Sequence, residues 1–322
     1  MLIIEKVGDD PFFNIAAEEY VTHNLEDDVF MLWENANCVV IGKHQNAIAE
    51  VNLPFIEQQS VPVIRRISGG GTVFQGDGNV NFSFVRTSNH AENQIDFARH
   101  LEPVRAFFKI LGITLELHGK SSLTLHGKKV SGNAAHVHRN RSLHHGTLLF
   151  DADLDLVRNC LKVIPGRYQS KAVLSNPMPV TNIRPWLPTD QNIRKVMEQF
   201  RDYIVKTFDV HEVREFSTQE IEAIQRLADE KYHRREWNFG YSPEYRYHAF
   251  LEFNDRKFGF KIQVSNDQMV EVLPDEVMPE TSLVADALSG QRPESAILTK
   301  VLSSLYPSHE PSQIAKMVYA LI

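Results

Sequence analysis

The stretch Arg65-Arg66-Ile67-Ser68-Gly69-Gly70-Gly71-Thr72-Val73-Phe74 decides how this chain is read. Two guanidiniums beside three glycines let fixed positive charge and bare backbone approach an anionic ligand together. Val61, Val63 and Ile64 read as a buried strand entering the stretch, and Thr72, Val73 and Phe74 as a strand leaving it. The glycines then form a turn with outward-facing N–H groups. A glycine-rich hairpin with surface arginines has the same pattern, because a lone glycine loop is a weak signal. Consecutive strand residues point to opposite faces, so the two guanidiniums should not enter one pocket. Arg66, nearer the glycines, is the expected ligand contact, and Arg65 is structural.

Downstream, Gly127-Lys128-Lys129-Val130-Ser131-Gly132-Asn133-Ala134 sets lysine among small residues. Leu143-His144-His145-Gly146-Thr147-Leu148-Leu149-Phe150 is a His-His-Gly turn feeding an apolar strand. With these motifs the chain resembles the lipoate–protein ligases of bacteria. The resemblance also takes in Asn14 with Glu18 and Glu19, residues 32–35 and 39–46, Gly78-Asn79-Val80-Asn81-Phe82-Ser83, Val180-Thr181-Asn182-Ile183 and Glu236-Trp237-Asn238-Phe239-Gly240. It therefore spans most of the chain. It implies an α+β fold similar to the biotin and lipoate ligases: a large domain with a mixed sheet and flanking helices over 1–244, and a small α+β C-terminal accessory domain over 245–322. The implied activity is ATP-dependent, AMP-forming ligation of lipoate, the substrate, to a carrier lysine through lipoyl-adenylate, with ATP and Mg²⁺ as cofactors. The implied partners are lipoyl carrier domains of 2-oxoacid dehydrogenase E2 subunits, the glycine cleavage H protein, or both.

Composition bounds the same answer from another side. A chain of 322 residues with 43% hydrophobic content can bury one large core and a smaller one. A formal charge of -7 argues against general nucleic-acid affinity, so any anion site must be local. Two cysteines, Cys38 and Cys160, form no disulfide framework and suit a reducing compartment. No apolar run reaches bilayer-spanning length, and the N-terminus lacks a basic segment followed by a long apolar one. A cytoplasmic protein without membrane association is expected.

Periodicity supplies the elements. Residues 30–33, 39–42, 61–64, 80–85, 114–117, 123–125 and 146–150 read as strands from their β-branched and aromatic content. Residues 14–23 read as a helix, and Ile95, Ala98, Leu101, Val104, Phe107, Phe108 and Leu111 recur at helical steps. Leu154, Val157, Cys160 and Leu161 mark another helix. Five prolines make 165–189 a long irregular traverse across the first domain. Helices at 191–207 and 218–232 follow. Residues 247–253, 257–264 and 268–272 read as a meander with turns at Asn254-Asp255 and Ser265-Asn266-Asp267. Helices from Ser282, Pro293 and Pro311 complete the chain.

A carboxylic acid is inert towards an amine at neutral pH, so amide formation requires activation, and charge developing at the α-phosphate is best met by a fixed cation. By resemblance that cation is Lys129, the catalytic residue, while Arg66, Ser68, Gly69, Gly70 and Gly71 cradle the acyl-adenylate. Val73, Phe74, Gln75 and Asn79 after the loop, Ser131, Gly132 and Ala134 after the lysine, and His145, Gly146 and Thr147 complete the implied binding site. No metal ligand is assigned. Val39, Val40 and Phe82 are candidate walls for an aliphatic tail. The chain departs from the family pattern at Gly119-Lys120-Ser121-Ser122, where no carboxylate stands for Mg²⁺, and at Gln75-Gly76-Asp77, where Asp77 is a displaced alternative. Gly119-Lys120-Ser121 lacks the first glycine of a P-loop. His136, His138, His144 and His145 lack the cysteine or carboxylate companions of a zinc site. Two other activities remain: a thiol-dependent octanoyl or lipoyl transferase using Cys160 or Cys38, and a non-catalytic lipoate-binding protein.

Overall fold

The computed structural model describes residues 1–5, 8–87, 95–253 and 256–322. They divide into two units: Met1–Lys43 with Val61–Asn159 and Ser175–Arg234, and His44–Ser60 with Cys160–Leu174 and Arg235–Ile322. The second unit therefore starts at Arg235 and also draws in two earlier segments.

A mixed sheet of eight strands forms the first unit. Its order is β12 (Glu212–Arg214), β1 (Leu2–Glu5), β2 (Val29–Trp33), β6 (Asn79–Thr87), β10 (Arg141–Leu149), β9 (Lys128–His138), β8 (Ser122–Leu125) and β7 (Glu116–His118). The pairings β12 to β1 and β1 to β2 are parallel, and the rest are antiparallel. On one face, α3 (Phe97–Ile110) and α5 (Ile193–Thr207) bury Leu101, Val104, Phe107, Phe200 and Ile204 in one core with Phe30, Phe82 and Phe84. Phe107 and Phe200 stack at 4.6 Å. The first two members of the α3 apolar series, Ile95 and Ala98, are exposed instead, because the helix begins at Phe97 and its buried stripe starts one turn later.

α1 (Pro11–Asn24) packs on β6 and β10 and on α6 (Thr218–Leu227). Asp10 caps α1 by accepting from the Phe12 N–H, and Pro11 occupies the first turn, where no N–H is needed. α6 carries a full capping box from Ser217 and Glu220 and passes into a π-helical turn, Ala228–Tyr232.

The glycine stretch is not a hairpin. β4 (Val63–Arg65) and β5 (Val73–Gln75) flank β3 (Cys38–Ile41), parallel to the first and antiparallel to the second. The loop therefore bridges the two outer strands across β3. The strand expected at 114–117 lies at Glu116–His118, and the traverse at 165–189 contains a strand, β11 (Tyr168–Ser170).

In the second unit the order is β11, β13 (Tyr245–Phe253), β14 (Arg256–Ser265) and β15 (Gln268–Pro274), all antiparallel. β13 alternates buried and exposed residues along its length, so one sheet face is open. α7 (Pro279–Leu288), α8 (Ser295–Leu305) and α9 (Pro311–Leu321) bury Leu288, Leu298, Leu302 and Ile314 with Leu251, Phe260 and Ile262 in this unit. Asn266 and Asp267 turn β14 into β15 with φ of 51° and 60°, as expected for a tight hairpin. The turn expected at Asn254-Asp255 lies outside the described residues. α2 (Leu53–Gln58) also belongs to this unit, and α4 (Leu154–Cys160) is the helix expected around Cys160. No helix among the described residues is long and apolar enough to cross a membrane.

Candidate active site

The two arginines divide as strand alternation requires. Arg65 is fully buried and donates from Nη1 to the carbonyls of Gly42 at 3.1 Å and Lys43 at 3.0 Å, tying β4 to the end of β3. Arg66 turns the other way into the glycine loop. Its Nε donates to Ser68 Oγ at 2.9 Å, Nη1 to the Val40 carbonyl at 3.1 Å, and Nη2 to the carbonyls of Gly69 at 2.6 Å and Gly71 at 2.8 Å. The guanidinium thus moulds the loop from within. Gly70 takes φ of +83°, and a Cβ there would come within 3.1 Å of Arg66 Nη2. Burial lowers the Arg66 pKa to about 10.

Behind the loop runs a buried polar chain. Ser68 Oγ lies 2.6 Å from His145 Nε2, and His145 Nδ1 lies 2.8 Å from both oxygens of Glu18. With a neutral ring, Nδ1–H donates to the Glu18 carboxylate, the Ser68 hydroxyl donates to Nε2, and Ser68 accepts from Arg66. Ser83 donates to Glu18 as well. Strand alternation explains the placement: on β10, His144 turns to α3 and stacks on His100 at 3.5 Å, while His145 turns to α1 and Glu18.

The β9–β10 hairpin forms the opposite wall. Its register sets Ala134 across from His145 and Gly132 across from Thr147, so two small residues share a face with the larger pair. Gly146 faces the other way, where a Cβ would overlap Asn133 Oδ1 and reach 2.7 Å from the Phe82 ring. Asn133 Nδ2 in turn donates to the Ser121 carbonyl at 2.8 Å.

Lys129 enters from the start of β9. Its backbone N–H donates to the Pro179 carbonyl at 2.8 Å and its carbonyl accepts from Thr181 at 3.0 Å, so the traverse clamps the strand where the lysine leaves it. The ammonium has no hydrogen-bond partner among the described residues. Burial first, and then the neighbouring Arg66 charge, lower its pKa below the ordinary lysine value.

These walls enclose a cavity of about 270 Å³. Of the residues expected from sequence, Lys129, Arg66, Gly70, Gly71, Val73 and Gln75 line it. So do Gly132, Ala134, His145, Gly146 and Thr147. Ser68, Gly69, Phe74, Asn79 and Ser131 do not line it. Ser68 and Gly69 hold Arg66, Phe74 is 3% exposed in the core, Asn79 bonds Thr147 Oγ1 at 3.3 Å, and Ser131 bonds Asn133. The candidate tail walls Val39, Val40 and Phe82 are core residues. Asp77 is exposed and also lies outside the cavity. Lining residues beyond the expected set include Glu18, Trp33, Lys120, Asn133 and Ser175. Ser175 Oγ accepts from the Thr72 N–H at 2.9 Å, a contact no local pattern in the traverse announces. The Trp33 Nε1–H is buried without a partner among the described residues. The cavity carries cations Arg66, Lys120 and Lys129 against one carboxylate, Glu18, which His145 already engages.

The lipoyl protein ligase A/B catalytic domain family matches residues 10–205. The chain belongs to this family. Lipoate–protein ligase 1 of Staphylococcus aureus is 36% identical over 265 residues, covering 81% of this chain and 79% of its own. Lipoate-protein ligase LplJ of Bacillus subtilis is 30% identical over 98% of both chains, so the likeness to the ligases runs through both units. Among solved structures, a crystal structure of lipoate-protein ligase A bound with ATP superposes with a TM-score of 0.62 at 26% identity, over 74% of this chain and 98% of that one. A bipartite lipoate protein ligase of Thermoplasma acidophilum, studied with its E2 lipoyl domain, shares the fold at a TM-score of 0.64 and 24% identity, over 74% and 96%.

Proposed function

We infer that this ligase activates lipoate with ATP and transfers the lipoyl group to a lysine of a lipoyl carrier domain. The observation that carries this reading is the Lys129 ammonium, desolvated, next to Arg66 and without a hydrogen-bond partner among the described residues, at a cavity floored by Gly132 and Ala134. A cation held this way is repelled by its neighbour until an anion arrives, so a phosphate relieves what the empty cavity imposes. Relatives named as lipoate–protein ligases and a family structure bound with ATP supply the substrates that fit.

In the first step the lipoate carboxylate attacks the α-phosphorus and pyrophosphate leaves. Lys129 meets the charge that grows on the phosphoryl oxygens. Arg66 holds the loop carbonyls of Gly69 and Gly71, and Ser175 takes the Thr72 N–H, so the N–H groups of Gly69 to Gly71, unbonded among the described residues, are left to the ligand. In the second step a neutral carrier lysine attacks the acyl carbon, AMP leaves, and an amide forms. The E2 lipoyl domain paired with the Thermoplasma ligase is one carrier of this kind, and the glycine cleavage H protein is a second proposed acceptor.

Mg²⁺ finds no cage here. Glu18, the sole carboxylate in the cavity lining, accepts from His145 and Ser83, and no group of three or more His, Cys, Asp or Glu among the described residues could hold a metal. Ser121 and Ser122 offer only neutral oxygens. A Mg²⁺ ion would therefore be held chiefly by nucleotide phosphates, which would supply the charge that such sites otherwise take from carboxylates.

Lipoate-dependent exchange between ATP and pyrophosphate tests the reading. Lys129→Ala should lower the exchange rate on the order of 100-fold or more with the fold intact, since the ammonium has no hydrogen-bond partner among the described residues to lose. Lys128→Ala, at an exposed position, should leave it close to wild type. Normal exchange in the Lys129 variant would remove the lysine from the mechanism.

A further inference from the structure

The sheet of the second unit has an edge that its own chain covers only in part. β11 pairs with β13 over three positions, from Tyr168↔Tyr247 to Ser170↔Tyr245. An antiparallel continuation would set Arg167 beside His248 and Gly166 beside Ala249. The chain turns away instead: Arg167 N–H donates back to the Ile164 carbonyl at 3.3 Å, and Gly166 takes φ of +75°. On its other side β13 is paired with β14 as far as Phe253↔Arg256. Residues 248–253 therefore present one unpaired edge, about 20 Å long at about 3.3 Å per residue, with no strand beside it among the described residues.

A groove of about 1160 Å³ lies along this edge. Its apolar contribution includes Ile164, 65% exposed, and Phe250, 41% exposed, with Met317 behind them. Its charges are one-sided. Arg167, Arg256, Lys257 and Lys316 line it together with His248 and His309, against Glu252. Asp275 already engages His248 at 2.7 Å and Glu276 lies 3.9 Å from Arg256, so the unmatched charge sits chiefly on Arg167, Lys257 and Lys316. Lys257 sits over the Phe250 ring at 4.6 Å, which fixes its charge beside the apolar patch. In a chain of formal charge -7 this is a local reversal of sign.

We propose that the edge of β13 receives an extended acidic segment of the lipoyl carrier protein as an added strand. The proposal rests on the ligase reading, which requires a protein substrate. Free backbone donors and acceptors on a strand edge are satisfied best by another strand, alternate side chains of which would reach the apolar patch. The surrounding ammonium and guanidinium groups select carboxylates for the rest of that strand. A second copy of this chain is a poor occupant, because pairing two such edges brings like charges face to face. An edge merely kept solvated by its charges is the outcome in which no strand binds.

Hydrogen exchange and steady-state kinetics with an apo lipoyl domain that retains its flanking chain decide the matter. Saturating carrier should slow amide exchange in 248–253 of the wild-type enzyme. Lys257→Glu with Lys316→Glu should raise KM for the carrier on the order of tenfold, since edge charges act on encounter. The variant's kcat and its lipoate-dependent ATP–pyrophosphate exchange should stay at wild-type values. Unchanged protection under saturating carrier, or an unchanged KM in the folded variant, would overturn the docking proposal while ligation itself continued. Absence of lipoate-dependent exchange in the wild type would overturn the ligase reading instead.

Discussion

Gly146 shows how tightly single residues are specified around the cavity. Asn133 Oδ1 and the Phe82 ring tip occupy the space a side chain would need, and Asn133 is itself held by the Ser121 carbonyl. Gly146→Ala should cost about 1–3 kcal/mol, the usual range for overpacking a filled site. Adding Asn133→Ala should recover part of that loss, and chemical denaturation of both single variants and the double variant measures the coupling. Additive losses would show that the Asn133 contact is not what requires glycine. Sequence could point to this glycine through its motif, but not to its reason, because the partners come from β9 and β6. Arg66 illustrates the same limit. Its charge and its glycines were legible, whereas its three hydrogen bonds into the loop and a fourth to the Val40 carbonyl depend on a fold that brings β3 alongside.

Among the elements, the long amphipathic helices and the β13 to β15 meander were readable because each carries its own period. Strand pairing was not. β4 and β5 are neighbours in sequence yet both pair with β3, and β1 and β12 are too short to signal above their surroundings. α1 and β9 also bring His23, His136 and His138 together, with His23 and His138 ring centroids 3.9 Å apart. Burial first, then the charges of Lys43 and His23, lower the His136 pKa from 6.5 to about 4. The sign follows from linkage. Between pH 6.5 and about 4 the unfolded chain binds a proton there and the native chain does not, so stability falls as pH falls through that window. His136→Gln should flatten this acid-side decline in urea-denaturation midpoints measured across the same pH range. An unchanged slope would place the proton uptake elsewhere.

At the scale of the molecule, two units share one chain in a way composition does not reveal. A cut at 244 would strip β11 of its partner β13, because residues 160–174 already belong with the C-terminal part. Both cysteines bear on the reaction by what they cannot do. Cys38 and Cys160 are fully buried, and burial raises both thiols above their ordinary range, Cys160 to about 11. Neither is a ready thiolate. Cys38→Ala with Cys160→Ala should therefore keep ATP-dependent transfer at the wild-type rate, as followed by carrier lipoylation, and a loss confined to transfer from preformed lipoyl-adenylate would restore the thiol route.

The central claim, that amide formation is driven by ATP through a site centred on Lys129, is tested most directly by the intact mass of an apo lipoyl domain incubated with this protein and lipoate. Addition of one lipoyl group only when ATP is supplied, and its disappearance in Lys129→Ala, is the predicted result. Acylation of the carrier without ATP, through a hydroxylamine-sensitive acyl-enzyme, would contradict it.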